Sequence, residues 1–251
     1  MNEQRAIDRI DTGPRFSEQD AIRLNRMFRG SDTEEWLEAV IATELVGDVA
    51  IVSSFGAESA VLLHLVASID ARVPVLFLDT GKHFPETLAY RDELASRLNL
   101  NLVNLYPEIS DLTARDESGL RWSYDPDGCC ELRKVKPLAK ALAQFDASFT
   151  GRKAFQSSTR ANLPRFEVDT SDPQGRLKIN PLIDWSAQDI AAYMTNHDLP
   201  RHPLVERGFP SIGCSPCTRP VGEGEDPRAG RWSGWDKVEC GIHEPGEEPF
   251  L

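Results

Sequence analysis

The chain has 251 residues, with 40 acidic and 28 basic side chains and a formal net charge of −12. This length is enough for a full hydrophobic core, and one large α/β domain is expected. The negative charge disfavours nucleic acid and membrane surfaces as partners, because both are anionic, but it permits a small anionic substrate in a local basic pocket. No apolar run is long enough to span a membrane, and residues 1–11 lack the apolar core of a signal peptide. We therefore expect a cytoplasmic protein with reduced thiols.

Apolar runs that alternate with amphipathic stretches predict a doubly wound, mostly parallel α/β fold. Two helices are expected first, at 17–28 and 32–45, with Ser17 and Asp32 as N-caps. Further helices are predicted at 60–69, 86–98, 138–145 and 186–196, and strands at 49–52, 75–78, 100–105, 147–150 and 177–179. Residues 106–128 are expected to be less regular, and the chain from 202 onward to be mostly loop.

The loop after the first strand reads Ser53-Ser54-Phe55-Gly56-Ala57-Glu58-Ser59 and leads into a helix. Unpaired backbone N–H groups at a helix N-terminus suit a phosphate or sulfate. The loop carries neither the Walker ending nor the dinucleotide fingerprint, so an ordinary turn between strand and helix is the alternative. The second strand ends in Asp79-Thr80-Gly81 at the same sheet edge, and both loops are expected to face one pocket.

Five cysteines fall as two pairs, Cys129-Cys130 and Cys214-x-x-Cys217, and an isolated Cys240. In a reduced compartment this pattern predicts a four-thiolate metal site and one free thiol. Adjacent cysteines in an extended segment point to opposite sides, which favours an iron–sulfur cluster over a single zinc ion. Zinc and two chance pairs are the alternatives. Lys134 lies four residues after Cys130 and is either above the cluster or an ordinary solvated lysine.

Basic residues surround the isolated thiol in sequence. Lys237 and His243 flank Cys240 at a distance of three residues, and nearby cations lower a thiol's pKa. Arg228 and Arg231 precede it, and arginine matches phosphate or sulfate oxygens in a bidentate manner. Pairing of these arginines with acidic neighbours in sequence is the alternative, the candidates being Glu223, Glu225 and Asp226.

These motifs, taken in order, resemble the assimilatory sulfonucleotide reductases, and most closely the bacterial adenylyl-sulfate reductases that carry an iron–sulfur cluster. The resemblance covers about residues 53–243. It is carried by Ser53-Ser54-Phe55-Gly56, Leu78-Asp79-Thr80-Gly81, Phe84-Pro85-Glu86-Thr87, Cys129-Cys130 with Arg133-Lys134, Thr159-Arg160-Ala161-Asn162-Leu163-Pro164, Pro181-Leu182-Ile183-Asp184-Trp185, Gly213-Cys214-x-x-Cys217-Thr218-Arg219-Pro220 and Glu239-Cys240-Gly241-Ile242-His243.

The resemblance implies an adenine-nucleotide-binding sheet of five or six strands, related to the ATP-pyrophosphatase loop enzymes. It implies that Cys240 is the nucleophile on a mobile tail, and that a [4Fe–4S] cluster is bound by Cys129, Cys130, Cys214 and Cys217, with Lys134 and Thr218 next to it. Adenylyl sulfate is the expected substrate, and thioredoxin or glutaredoxin the expected reductant. The substrate-binding residues are then Ser53, Ser54, Phe55, Gly56, Asp79, Arg160, Arg228, Arg231 and His243. Either Arg152 or Lys153 is expected to add a further contact, and the pattern Gly151-Arg152-Lys153 does not decide which.

The expected organisation is one compact, homo-oligomerising unit with an N-terminal helical segment (1–46), a nucleotide-binding domain (47–200) and a C-terminal segment (201–251). Three alternatives for function are left open. A 3′-phosphoadenylyl sulfate reductase shares the sheet and the tail but lacks the cysteine pairs. An ATP-dependent adenylating or thiolating enzyme on the same fold would leave Cys240 incidental. A non-catalytic iron–sulfur or zinc module is the third alternative.

Overall fold

The computed structural model describes residues 15–156, 160–237 and 239–242. Its helices are α1 (Glu18–Met27), α2 (Thr33–Ala42), α3 (Ser59–Asp70), α4 (Pro85–Arg97), α5 (Ile109–Arg115), α6 (Pro126–Cys130), α7 (Lys136–Leu142) and α8 (Ala187–Asn196). Its strands are β1 (Val49–Val52), β2 (Pro74–Leu78), β3 (Asn101–Leu105), β4 (Ala147–Thr150), β5 (Phe166–Val168) and β6 (Leu177–Ile179). A π-helical turn over Glu131–Val135 joins α6 to α7. The expectations for residues 1–14 lie outside the described residues.

Six strands form one sheet in the order β3-β2-β1-β4-β6-β5. All neighbours are parallel except β5, which runs antiparallel to β6. Because β1 pairs with β2 on one side and β4 on the other, the chain order reverses between β1 and β4. Ligands of open α/β sheets bind at such a switch point, beyond the carboxyl ends of the strands.

Alternate side chains of the central strands pack on opposite faces of the sheet, as the two-residue period requires. Ile51 and Phe77 belong to a large buried cluster that includes side chains of α1, α2, α3, α4 and α8. Ala50 and Leu76 pack on the other face against Leu138 of α7. The sheet is therefore covered on both faces, which confirms the predicted doubly wound α/β class.

Local sequence signals fix several element ends. Ser17 and Ser186 cap α1 and α8 through capping boxes with Asp20 and Asp189, and the Asp32 carboxylate accepts from the Glu34 amide. No helix of the described ranges is long and apolar enough to cross a membrane.

Three elements differ from the sequence prediction. Helices α5 and α6 lie in the stretch expected to be irregular, and β5 was not predicted. Cys129 and Cys130 end α6, so the extended geometry assumed for this pair is wrong. Successive helical side chains diverge by about 100°, since 3.6 residues make one turn, and two adjacent thiols can both border one cavity.

Candidate active site

A cleft with a volume of about 530 Å³ opens beyond the carboxyl ends of β1 and β4. Its lining includes residues from the β1 loop, the segment after β4 and the C-terminal tail. Most of the predicted substrate residues are among them, together with the predicted nucleophile: Ser53, Ser54, Gly56, Arg152, Lys153, Arg160, Arg228, Arg231 and Cys240. The fold thus brings together residues that are distant in sequence at the switch point of the sheet.

The β1 loop lines the cleft and leads into α3. The Glu58 side chain makes no capping hydrogen bond there, and the Ser59 and Val61 amides donate to the Gly56 and Glu58 carbonyls at 3.2 Å and 3.4 Å. Phe55 differs from the expectation, because its side chain is fully buried and meets Phe77 edge-on at 5.5 Å between ring centroids. The Phe55 side chain is part of the core, and the loop can contact a ligand only through its neighbours and its backbone.

Asp79 is not brought to the cleft. Its carboxylate accepts from the Gly81 amide at 3.0 Å and lies 3.9 Å from Arg91, and it is not among the cleft-lining residues. Leu78, the residue before it, does line the cleft. Side chains alternate along a strand, so the side chain that points into the cleft at this strand end is Leu78, and the expectation for Asp79 needs this correction.

Arg152 and Lys153 both border the cleft but have different partners. The Arg152 guanidinium is buried and bonds to Thr150, Asn180 and Glu167. The Lys153 ammonium lies 3.0 Å from the Glu58 carboxylate. Burial lowers the pKa of Lys153, and the charge of Glu58 opposes that effect. Arg152 is tied into the sheet, whereas Lys153 belongs to the wall next to the β1 loop.

The C-terminal tail places Cys240 in the cleft. Ile242 packs on the cluster formed by α7 and the β1–β2 face, and Gly241 has φ +84°, a conformation that L side chains rarely adopt. An added Cβ at Gly241 would lie 3.3 Å from Val135. The glycine therefore permits the turn that directs Cys240 inward. His243 lies outside the described residues, and its role stays a prediction.

Three arginines face the tail across the cleft. Arg160 and Arg228 form ion pairs with Glu239, at 2.7 Å and 3.2 Å respectively. The Arg231 guanidinium lies 4.4 Å from the centre of the Trp232 ring, and its Nε is buried with no hydrogen-bond partner among the described residues. A Cβ at Gly213 would lie 2.4 Å from Arg231 Nη2, so this glycine makes room for the arginine.

The four paired cysteines border a second, enclosed cavity. All four are free thiols, and the other lining residues include Lys82, Arg133, Lys134 and Arg231. Cys214 Sγ lies 3.3 Å from Thr80 Oγ1. Thr218 does not line this cavity, and its hydroxyl donates to the Cys214 carbonyl at 2.9 Å. It acts on the site through the backbone of the Cys214–Cys217 turn.

Burial dominates the chemistry of these thiols. It raises the pKa of Cys130 to about 12 and also raises the pKa values of Cys129 and Cys217. Burial acts in the same direction at Cys214, but the Lys134 charge and the Thr80 hydrogen bond lower its pKa overall. Most of the set therefore stays protonated until a coordinating cation displaces the protons.

The donor set fits a cluster better than a single ion. No group of three or more His, Cys, Asp or Glu in the described ranges is spaced to hold one metal ion, yet four thiols border one cavity. The Nε atoms of Arg133 and Arg231 are buried there without a hydrogen-bond partner among the described residues. In a cubane each thiolate binds a different iron, so the sulfurs lie farther apart, and the net negative charge suits nearby cations.

Lys134 lies in the wall between the two cavities, together with Cys214, Arg231 and Trp232. Burial acts to lower the pKa of its ammonium, but its interactions with Cys214, Cys240 and Cys130 raise that pKa overall. Lys134 therefore lies at both cavities, and its role next to a cluster stays a prediction. Its charge acts on the paired cysteines and on Cys240 at once.

Sequence reasoning missed two features next to the site. Arg133 forms an ion pair of 2.6 Å with Asp116, and both side chains are buried. His83 lines the cleft, with Nε2 2.8 Å from the Leu78 carbonyl oxygen, and burial lowers its pKa. Arg133 could have been noticed within the Arg133-Lys134 motif, whereas no spacing signal pointed to Asp116 or His83.

The fold and the cleft define a doubly wound α/β protein with a thiol and several arginines at the switch point of its sheet. Residues 48–220 match the family model of the phosphoadenosine phosphosulfate reductase domain. The chain therefore belongs to this family, which confirms the resemblance found in its motifs.

Similar proteins agree with this assignment. Two proteins named adenosine 5′-phosphosulfate reductase are 51% identical (Chelativorans sp. strain BNC1, 94% of this chain and 95% of that protein) and 54% identical (Mesorhizobium japonicum, 84% and 82%). A protein from Gloeobacter violaceus, named phosphoadenosine 5′-phosphosulfate reductase, is 42% identical over 82% of this chain and 88% of that protein. The crystal structure of phosphoadenylyl-sulfate reductase from Candida auris, a phosphate complex, matches with a TM-score of 0.70 and 27% identity. The match covers 81% of this chain and 98% of that chain.

Proposed function

We propose that this chain reduces adenylyl sulfate to sulfite and AMP in sulfate assimilation. The observation that carries the proposal is the position of Cys240, which lines one cleft with the β1 loop and with Arg160, Arg228 and Arg231. A nucleophilic sulfur and an anion-binding set thus share a space large enough for a nucleotide. Relatives named for this activity align with nearly the whole chain.

Anion-binding groups on two sides of the cleft support a defined substrate pose. The phosphosulfate is expected between the amides at the start of α3 and the guanidinium groups of Arg228 and Arg231. Apolar side chains of Leu62 and Leu78 line another part of the cleft and suit an adenine base. Arg152 and Lys153 remain candidates for a supporting contact.

The first chemical step is an attack by the Cys240 thiolate on the sulfate sulfur. A new S–S bond forms, the bond from that sulfur to the bridging oxygen breaks, and AMP leaves with the electron pair. Preorganised cations stabilise the charge that develops on the departing phosphate. The product on the protein is a Cys240 S-sulfonate.

The second step releases sulfite and uses a dithiol reductant, for which we propose thioredoxin or glutaredoxin. One reductant thiolate attacks Cys240 Sγ, and sulfite leaves with the electron pair of the broken S–S bond. The second reductant thiol then resolves the mixed disulfide and restores the Cys240 thiol. The two electrons that reduce the sulfate sulfur to the oxidation level of sulfite come from the dithiol.

We also propose that Cys129, Cys130, Cys214 and Cys217 hold a [4Fe–4S] cluster. Four free thiols around one cavity support it, as do the Nε donors of Arg133 and Arg231, which are buried without a hydrogen-bond partner in the part of the chain that the structure describes. When bound, the cluster would supply fixed negative charge and would stabilise the wall between the two cavities. Iron and acid-labile sulfide in a ratio near one, with visible absorbance from thiolate–iron charge transfer, would support a cluster; zinc alone would refute it.

The decisive experiment weighs the protein after mixing it with adenylyl sulfate without reductant. We expect the added mass of one SO₃ on the tryptic peptide that contains Cys240. Thioredoxin added afterwards should remove the mass and release sulfite. A Cys240→Ser variant is the control and should stay unmodified. No adduct on the wild-type protein, or an adduct on another cysteine, would refute the proposal.

Reduction of 3′-phosphoadenylyl sulfate is the second candidate, because the Gloeobacter relative is named for it. The two cysteine pairs favour adenylyl sulfate. The comparison of kcat/KM for the two nucleotides decides between them, and a preference for the 3′-phosphorylated one would reverse the choice.

A further inference from the structure

Glu239, the residue before the nucleophile, pairs with two of the four arginines that line the cleft. Glu239 Oε1 accepts from Arg160 Nη2 at 2.7 Å and from Arg160 Nε at 3.1 Å, and Glu239 Oε2 lies 3.2 Å from Arg228 Nη2. The three side chains are 12%, 11% and 18% exposed, so this set is largely withdrawn from water. We call these three residues the Glu239 clasp.

The clasp lies where an anionic ligand would be bound. Arg160 and Arg228 line the cleft together with Arg231, Glu239 and Cys240. Burial lowers the pKa of Arg228, Glu239 acts against that effect, and the like charges of Arg160 and Arg231 lower it further. The cleft lining contains more cationic than acidic side chains, and this excess of positive charge favours a further anion.

The same carboxylate fixes the position of the thiol. Glu239 is bonded directly to Cys240 in the chain, and its partners are Arg160, 79 residues away, and Arg228 of the same C-terminal segment. On the other side, the tail is anchored by Ile242 in the core cluster. The ion pairs therefore hold the tail over the cleft, with Cys240 between two anchors.

We propose that Glu239 is an internal competitor for the nucleotide phosphate and a positioning residue for Cys240. The carboxylate occupies Arg160 and Arg228 while the cleft is free of ligand and keeps the tail docked. A nucleotide phosphate takes over these guanidinium groups and displaces the carboxylate. This loosens the tail next to Cys240 at the stage when the thiol must move onto the substrate. The inference rests on the proposed function for the identity of the anion.

If Glu239 competes with phosphate, removal of its charge should increase the affinity for a nucleotide phosphate. Removal of an ordinary structural ion pair would not. A Glu239→Gln variant keeps the size of the side chain and removes the charge. The Glu239 carboxylate then no longer competes with phosphate for Arg160 and Arg228, so AMP should bind more tightly, by about three- to tenfold. Adenosine carries no phosphate, and its affinity should stay unchanged.

The experiment measures AMP and adenosine affinity by calorimetry and the rate of iodoacetamide alkylation of Cys240, read on its tryptic peptide. Glu239→Gln should tighten AMP binding and speed alkylation by several-fold, because the tail is released. Glu239→Asp keeps the charge and should resemble the wild type in AMP affinity. Glu225→Gln is the matched control, because this substitution removes the same charge. Glu225 pairs with Arg219 at 2.9 Å, and neither residue lines the cleft.

Unchanged or weaker AMP binding in Glu239→Gln would overturn the proposal, and so would an equal shift for adenosine. Slower alkylation of Cys240 would contradict the role in holding the tail. Neither readout requires sulfate reduction. A wild-type protein that forms no S-sulfonate would thus refute the proposed function but leave the role of Glu239 open. The AMP and adenosine affinities would still test that role.

Discussion

Two neighbouring cavities contain the same functional group in different surroundings. The cysteine cavity, bordered by Cys129, Cys130, Cys214 and Cys217, is enclosed, and burial raises the pKa of three of its thiols. The cleft that contains Cys240 has a volume of about 530 Å³ and is lined by arginines and by residues of the β1 loop. Lys134, Cys214, Arg231 and Trp232 line both.

The surroundings of a thiol, and not the residue type, therefore decide what the thiol can do. Four thiols around a small cavity, three of them buried, are suited to metal ligation. One half-buried thiol beside cationic side chains and a large cleft is suited to nucleophilic attack. The shared wall allows the charge of one site to act on the other over a short distance.

The sharpest test of this contrast exchanges one thiol on each side. Cys240→Ser should lower sulfite formation by at least about 10³-fold, because a hydroxyl is a far weaker nucleophile than a thiolate. AMP affinity and the visible spectrum should stay as in the wild type. Coupled sulfite release with thioredoxin, AMP calorimetry and absorbance check the three expectations.

Cys130→Ser is the matched change in the other cavity. We expect loss of iron and of visible absorbance, while any remaining protein should still form an S-sulfonate on Cys240. If Cys240→Ser lost the absorbance and Cys130→Ser lost the S-sulfonate, the assignment of the two cavities would have to be exchanged.

The second prediction concerns the ion pair that supports the cysteine cavity. Arg133 bonds to Asp116 at 2.6 Å and to the Thr80 carbonyl at 2.9 Å, and Asp116 also accepts from the Arg121 amide. Asp116→Asn leaves a buried guanidinium without its counter-charge and should destabilise the protein by about 3 kcal/mol at neutral pH. Thermal unfolding measures this, and the exposed pair Asp111–Lys136 gives a control, Asp111→Asn, expected to cost about 1 kcal/mol or less.

The pH dependence of this effect has a definite sign. Burial acts to raise the pKa of Asp116, but the hydrogen bonds from Arg133 and the Arg121 amide lower it below its ordinary value of 3.8. A lowered carboxyl pKa stabilises the fold above pH 3.8, and that contribution is lost as the pH falls through the folded-state value. The gap between wild type and Asp116→Asn should therefore shrink below pH 3.8. A gap that widened in acid would contradict the assigned charge state.

The sheet could be predicted from sequence because its strands carry local signals. The apolar run at β1 was predicted with the bounds that the structure has, and β4 and β6 likewise. β5 was missed because three residues, Phe166–Val168, are too few to show a period and pair with β6 only through the tertiary fold. α6 was missed because Pro126 and Gly128 suggested a loop, although proline is well suited to the first turn of a helix.

Sequence motifs predicted individual residues of the site but not how those residues pair with one another. The motifs selected Cys240, Arg228 and Arg231, and the structure brings these three residues to one cleft. The pairing between Glu239 and Arg160 spans 79 residues, and no sequence spacing indicates it. Sequence neighbours were also a poor guide to Arg228, whose guanidinium pairs with Glu239, whereas Glu225 pairs with Arg219.

The third prediction removes the charge in the shared wall. Lys134 lines both cavities, and its charge interacts with Cys214, Cys240 and Cys130. Lys134→Gln keeps the length of the side chain within about one bond and should lower the rate of S-sulfonate formation by about 10- to 100-fold, the cost of losing one buried charge interaction near the reacting sulfur. Single-turnover mass spectrometry gives this rate.

Lys136→Gln is the control for Lys134→Gln, because Lys136 lies two residues away and pairs with Asp111 at 3.0 Å on the surface. It should leave the rate unchanged. Because Lys134 borders both cavities, its loss should also shift the visible absorbance, whereas a lysine that served the cleft alone would slow the reaction and leave the spectrum as it was. A normal rate with a shifted spectrum would assign Lys134 to the cysteine cavity alone, and the two sites would then act independently.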